Sequence, residues 1–448
     1  MAAIDYVYRY SHPSSLDTSE AGSGLRLAAE LNEHPDTRYF AGDLLNPVIT
    51  ARSLRTVSDL VGTRFYIPPS MLARILREAD PVATISRDRI RFEGFSACCS
   101  TYIRHDMSDA SFAAEHVSPG TTNVDFGAEM RAALAEVRTG SSLQMRVDKE
   151  AVELQEGEKS VIERKVPLPT RWIRGFAEVQ AHLRDMSLAM TLTRVQAQRF
   201  LRSLPRAQAD HEQWAIPSPQ GARLSVRPSG KGVMIKGTQR LRLFEKLAAD
   251  ANSLEIWFNE QQGSSAWVLD YGDQRLMLVL NSEPWRGFSG DGQLLSDLGS
   301  PDDATVAAVK AQLKWQGIID LDQVSRLTGY DEAGVQRALG FLAAHGVLGF
   351  DLPSGSYFHR VLPFDLSLIE KLNPRLKSAD ALYKAGAVKL SRSEDGHAAE
   401  IESDGIVHRV TYGSSGSTCT CPWYAKHLGT RGPCKHVLAT EMALNESA

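Results

Sequence analysis

Apolar positions along this chain follow two periods, and the switches between them mark its parts. Short apolar or alternating runs predict strands over residues 83–95, 142–148, 151–157, 223–229, 232–237, 253–259, 265–272 and 275–281. Helical spacing predicts helices over 24–34, 53–65, 68–80, 126–140 and 238–251. The third of these opens on Pro68 and Pro69, which suit a first helical turn, and the fourth closes on Gly140. Residues 207–221, rich in Pro, Gln and Gly, read as a linker. Strands 223–229 and 232–237 followed by helix 238–251 weakly repeat the order of residues 141–185, as a duplicated ββα unit would.

Residues 302–364 form a more sharply patterned unit. Helices are expected over 302–317, 321–329 and 331–346, the last ended by Gly346, and then 347–364 alternates around the turn PSGS like a hairpin. Three helices and a hairpin in this order resemble a winged helix. A helical stretch over 367–386, broken at Pro374, leads into hairpin strands at 387–396 and 398–413. The expected fold is therefore α+β and multidomain: 1–50 an N-terminal segment, 51–206 a mixed α/β domain, 222–300 a second α/β unit, 302–364 the winged-helix-like unit, and 365–448 the closing hairpin with the cysteine-bearing end of the chain.

Composition narrows the function classes. The 448 residues are 43% hydrophobic and 23% charged, an ordinary globular balance with room for several domains. A net charge of −4 makes the whole chain no polycation, so any nucleic-acid surface must be local. No apolar run reaches the roughly 20 residues of a membrane span. The N-terminal MAAIDYVYRYSHPSS lacks a charged-then-apolar signal pattern, which points to the cytoplasm.

One local basic stretch exists. Residues 164–206 hold nine Arg or Lys, from Arg164 and Lys165 to Arg206, against Glu178 and Asp185. Trp172, Phe176, His182 and Phe200 are interleaved, and Arg184, Arg194, Arg199 and Arg202 are the candidate phosphate contacts. The competing reading puts the rings in a core and the arginines on the wet face of amphipathic helices. In the winged-helix-like unit the third helix opens on Asp331 and Glu332, and the unit carries five basic against seven acidic residues. Such a helix repels phosphate at its leading end, which favours protein contact or architecture. Cys98 and Cys99, adjacent on a strand, would face opposite ways and read as core thiols. His105 and Asp106 read as a solvated turn. PSGKG at 228–232 lacks the first Gly and the last Ser/Thr of a phosphate loop and reads as a turn, and 283–292 reads as a loop.

The densest chemistry lies near the end. Three of the five cysteines, Cys419, Cys421 and Cys434, are followed by His436, in the spacing C-x-C, twelve residues, C-x-H. Side chains two apart on a strand share a face, so Cys419 and Cys421 can reach one ion, and Pro422 stops the strand behind them. Cys434 and His436 fall on the first turn of a short apolar helix, where the helix dipole favours a thiolate. Three thiolates and an imidazole suit Zn2+, and four protein donors leave no open position for water or substrate. His427, in the connecting loop beside Lys426, is a rival fourth ligand that reads better as solvated. His397 and His408 read as surface residues, and Trp423 as the packing residue under the loop.

This C-x-C…C-x-H order, with CPW at the second cysteine, CKH at the end and a short apolar helix after it, resembles the SWIM zinc finger. The resemblance covers about a tenth of the chain and implies protein-protein or DNA contact for the module. The whole chain is similar to bacterial SWIM-domain proteins, some encoded near MoxR-type AAA ATPases and von Willebrand A domain proteins, which implies a protein partner of that kind. No Ser/His/Asp, paired-carboxylate or Cys/His group can be assembled from spacing alone, so the reading is non-enzymatic: a zinc-bound adaptor. A DNA-associated regulatory or recombination factor is the first alternative. An enzyme with its site in the N-terminal half is the second.

Overall fold

The structure is a computed structural model that describes residues 15–19, 22–28, 38–63, 81–123, 128–148, 151–155, 170–207, 211–290, 292, 295, 302–362, 374–393, 396–413 and 416–447. The chain runs β1 (Ser15–Ser19), β2 (Gly22–Ala28), β3 (Arg38–Leu44), α1 (Pro47–Val61), β4 (Val82–Ile85), β5 (Arg89–Phe95), β6 (Thr101–Ser108), β7 (Phe112–Val117), β8 (Gly120–Asn123), α2 (Ala128–Glu136), β9 (Leu143–Asp148) and β10 (Ala151–Gln155). It continues through α3 (Thr170–Arg184), β11 (Ser187–Thr193), α4 (Arg194–Ser203), β12 (Gln213–Ser218), β13 (Gly221–Ser225), β14 (Val233–Ile235), α5 (Thr238–Leu241), β15 (Ser253–Asn259), β16 (Ser264–Asp270) and β17 (Gln274–Leu280). Then come α6 (Asp303–Ala311), α7 (Leu321–Thr328), α8 (Glu332–Ala344), β18 (Leu348–Asp351) and β19 (Ser356–His359). The last part is α9 (Pro374–Lys384), β20 (Val388–Ser393), β21 (Gly396–Ser403), β22 (Ile406–Gly413), β23 (Gly416–Cys419), α10 (Pro422–His427) and α11 (Lys435–Ser447). No helix among the described residues is long and apolar enough to cross a membrane.

An eight-stranded antiparallel sheet, ordered β11-β15-β16-β17-β6-β5-β4-β8, forms the centre. Strands β16 and β17 are apolar on both faces, which is why RLMLVL at 275–280 reads as a continuous run. Tyr102, Ala266, Val268, Met277 and Val279 face one core with Trp172, Phe176 and Val179 of α3. Ile103, Trp267, Leu269, Leu276 and Leu278 face a second core with Val57 of α1 and Phe200 of α4. A six-stranded sheet, β1-β2-β10-β9-β3-β7, packs Phe40, Met145 and Val147 with Leu54 of α1 and Ile90 and Phe92 of β5.

Several expectations change. The helical pattern at 24–34 gives way at its start to β2, which pairs with β1 and β10. Its remainder, the expected helix 68–80, and Arg164 and Lys165 lie outside the described residues. Within the basic stretch, residues 187–193 form β11, a strand that helical spacing did not announce. The linker at 207–221 contains β12, which pairs with β13 and β14. Helix 238–251 keeps one turn of α-helix before tightening into 3-10 turns at Arg242–Phe244 and Leu247–Ala249. The units expected at 51–206 and 222–300 share one sheet, because β17 pairs with β6 along its whole length, from Gln274 opposite Met107 to Leu280 opposite Thr101. Cys98 and Cys99 are buried in the turn between β5 and β6 rather than on a strand. Cys98 accepts from Arg240 Nη2 at 3.0 Å, while Cys99 turns to the carbonyl of Arg171. His105 and Asp106 are buried on β6, not solvated in a turn.

In the unit at 302–362 the helices α6, α7 and α8 precede the β18-β19 hairpin. Its acids have a local purpose. Asp302, Asp320 and Asp331 each cap a helix, accepting from Thr305 N at 3.0 Å, Gln323 N at 3.0 Å and Gly334 N at 2.9 Å. The hairpin lies against the eight-stranded sheet through buried charges. Arg91 on β5 meets Asp106 at 2.8 Å and Asp351 at 2.9 Å, with its guanidinium 4.0 Å from the centre of the Phe358 ring. Arg104 meets Asp106 at 2.9 Å and donates to the Phe350 carbonyl at 2.6 Å. Arg360 reaches Glu93 at 2.5 Å, and the Tyr102 hydroxyl donates to the same carboxylate.

Candidate metal centre

Antiparallel pairing delivers the first ligand. Cys419 ends β23 opposite Val410, and Val410, Ala399 and Ile401 form the apolar floor under it. The chain then turns at once into α10, with Cys421 as its cap and Pro422 at the first helical position. Cys434 O accepts from Leu438 N at 3.1 Å, so Cys434 stands at the head of α11 and His436 on its first turn.

All four residues are buried, and their donor atoms lie within 4.8 Å of one another. His436 Nδ1 stands 3.7 Å from Cys419 Sγ and 4.0 Å from Cys434 Sγ. A zinc tetrahedron with Zn–S of about 2.3 Å and Zn–N of about 2.0 Å sets neighbouring donors roughly 3.5–3.8 Å apart, so the arrangement fits the ion. Backbone amides aim at the sulfurs as thiolates require: Cys421 N to Cys419 Sγ and Tyr424 N to Cys421 Sγ, both at 3.4 Å. Among the three thiols the proton is held unevenly. A hydrogen bond from Cys419, with further donors from His436 and the Val437 amide, pulls Cys434 well down against the opposing effect of burial. Cys419 is pushed up by that shared proton and by burial, and Cys421 is pushed up chiefly by burial. Cysteine thiols must give up their protons to hold a divalent cation, so zinc binding here releases protons and strengthens as pH rises. When bound, zinc would be held by Cys419, Cys421, Cys434 and His436 and would cross-link strand, turn and helix.

Two residues outside the ligand set steady it. His408 on β22, expected at the surface, is buried with its ring centre 4.2 Å from that of His436. Its place opposite Ile401 turns it inward with Val410, an alternation that the register reveals and spacing alone did not. Arg375 on α9 reaches across to donate to the carbonyls of Arg431 and Pro433 at 2.7 and 3.0 Å. The guanidinium groups of Arg375 and Arg431 lie 4.8 and 4.6 Å from the Trp423 ring centre, so Trp423 packs against two cations. His427 sits outside the donor cluster, against Trp423, with Arg431 Nη1 3.4 Å from its Nε2. His397 is exposed. Arg375→Ala is expected to raise amide exchange over residues 422–433, by a local opening about 1–2 kcal/mol cheaper, with zinc still bound.

The candidate arginines are divided between α3, which ends on Arg184, and α4, which carries Arg194, Arg199 and Arg202. Arg199 and Arg202 are exposed on α4, and Arg194 at its start donates to the Ala251 carbonyl at 2.7 Å. Arg184 ends α3 and meets Asp185 at 3.1 Å. Trp172, Phe176, His182 and Phe200 are all in the core, so none of these rings is presented for stacking.

The finger is seated on the rest of the chain. Leu438 and Ala439 of α11 pack with Ala379 of α9, Ile173 and Ala177 of α3, and Ala344 of α8. No curated protein matches this chain. Among solved structures, it is similar to the crystal structure of Proliferating Cellular Nuclear Antigen from Entamoeba histolytica at 13% identity, over 55% of this chain and 98% of that one, with a TM-score of 0.35. It is also similar to A. fulgidus PCNA bound to the C-terminal region of FEN-1, at 12% identity, over 54% of this chain and 97% of that one, with a TM-score of 0.36. Scores this low give neither likeness any bearing on fold or function. Residues 408–445 match the family model of the SWIM zinc finger, and these residues, with their buried Cys3His cluster, are the SWIM zinc finger of this chain.

Proposed function

We infer that this protein is a non-enzymatic adaptor of the bacterial cytoplasm, in which a zinc-stapled SWIM finger offers a contact surface on a rigid α+β body. The observation that carries this reading is the donor set: four buried protein donors within 4.8 Å of one another, enough to fill all four positions of a tetrahedral ion. Such a site stabilises structure and leaves substrate nothing to coordinate. A winged-helix reading of α6, α7, α8 and the β18-β19 hairpin fits an architectural role. The leading helix end carries Asp331 and Glu332, and the hairpin is fastened to the central sheet by Asp351. A MoxR-type AAA ATPase or a von Willebrand A domain protein is the partner class that the family resemblance suggests.

The exposed Arg199 and Arg202 on α4 favour a second reading, in which the chain contacts nucleic acid. A titration of zinc-loaded protein with DNA and RNA at low and moderate salt separates the two. The adaptor reading expects no binding that charge reversal at Arg194, Arg199 and Arg202 weakens. Salt-steep binding that those changes weaken by tenfold or more would replace it with the nucleic-acid reading.

A further inference from the structure

Beside the zinc ligands, and separate from them, the turn after α10 shows an unusual economy. Leu428 ends α10 in the left-handed region, at φ 45° and ψ 40°, a conformation that glycine adopts freely and a leucine side chain resists. It is also 71% exposed, the most exposed large hydrophobic residue among those described. The fold gains neither burial nor backbone ease from a leucine here. The loop after β17 comes up to the segment that follows α10, and in that loop Trp285 is 67% exposed and Arg286 runs past Gly290. Arg431 Nη2 points at the Gly290 carbonyl at 3.3 Å, so the two loops meet.

Among the described residues, cations crowd around His427. His427, the neighbour of Leu428, is held below its ordinary value by burial and then by Arg431, Lys426, Arg286 and Arg375, all cations. Arg286 and Lys426 make no ion pair among the described residues. Glu283, the acid nearest in sequence to Arg286 among the described residues, faces Lys236 at 3.5 Å. An exposed Trp beside arginines matches the residues enriched in protein-contact hot spots.

We propose that Leu428, Trp285, Arg286 and Lys426 form a docking surface for an acidic segment of a partner protein, an apolar anchor side chain flanked by Asp or Glu. Charge complementarity sets the acids, and the strained, exposed leucine sets the anchor. A phosphate backbone would use the cations and Trp285 but has nothing to gain from Leu428. The proposal rests on the adaptor reading and names the chemistry of its partner.

The test uses the full, zinc-loaded chain to select from a displayed random library of peptides of about a dozen residues. Synthetic copies of the selected peptides are then titrated between about 50 and 300 mM salt. Selected peptides are expected to carry Leu, Phe or Trp among acids and to bind more weakly as salt rises. L428G is expected to weaken them at least tenfold while leaving zinc content unchanged and raising the melting temperature of the finger. R286E with K426E is expected to abolish binding. Peptides without acids, binding that survives these variants, or no selected peptide at all would overturn the proposed surface. Of these, peptides that bind elsewhere on the chain would leave the adaptor reading intact. An oligothymidylate bound through Arg286 and Lys426 and indifferent to L428G, with no peptide selected, would overturn both.

Discussion

Cys434→Ser is expected to take the zinc content from one ion per chain to near none and to unfold the finger without unfolding the body. The reasoning starts from size. The β20–β23 sheet, α10 and α11 enclose only a small apolar cluster around Ala399, Ile401, Val410 and Val437, too little to order the segment unaided. Structural zinc contributes an apparent 10–16 kcal/mol, on the order of magnitude seen for isolated fingers, and most of that vanishes when one of four donors is lost. The two cores of the eight-stranded sheet contain no ligand residue, so they should persist. Hydrogen exchange read segment by segment checks this: fast exchange over 396–447 with slow exchange kept over 264–280. Cys98→Ser, whose sulfur meets Arg240 and not the metal cluster, should leave the zinc content as it was. Uniform loss of protection would show instead that the body needs the finger, through the α11 contacts to Ile173 and Ala177.

Arg91→Ala is expected to lower the stability of the body by about 3–5 kcal/mol, the usual cost of stranding buried partners of a removed charge. Arg91 is wholly buried, and its loss leaves Asp106 and Asp351 facing each other in the core with Arg104 as their remaining arginine partner. A urea titration reads the change as a lower midpoint. The same network makes an acid prediction. Burial alone would raise the Asp351 carboxyl, but Arg104 and Arg91 outweigh it and hold the group down at about 2. Its unfolded value is near 3.9, so the unfolded chain binds the proton first. The stabilisation from this carboxylate is thus complete above about pH 4 and is lost as pH falls through 2. Asp351→Asn should flatten that part of the pH profile.

The finger was legible because its information is local. Cys419, Cys421, Cys434 and His436 lie within eighteen residues, and pleat and helix periods alone bring them together. The strands of the central sheet were legible for the same reason. What joined them was not. The β6–β17 ladder depends on which strand edge meets which, and no pattern within either strand carries that choice. Buried charge misled in the same way: His105 and Asp106 look like a solvated turn until Arg91 and Gln274, from the neighbouring strands β5 and β17, join Arg104 of the same strand as their partners. The basic stretch divided as its amphipathic pattern allowed, rings inward and several arginines outward, yet β11 lay unannounced between its two helices. Arg375 could not be found from the finger motif, because it lies more than forty residues before the first ligand.

The β6–β17 ladder also sets a schedule for synthesis. The edge of β6 that β17 covers is made about 170 residues before its partner. At roughly 5–20 residues per second, a nascent chain holds that edge open for about 10–30 seconds. An open strand that carries Tyr102 and Ile103 is an aggregation template during that interval. The chain should therefore be a client of holding chaperones on the ribosome, and a fragment stopped near residue 206 should be insoluble where the whole chain is not.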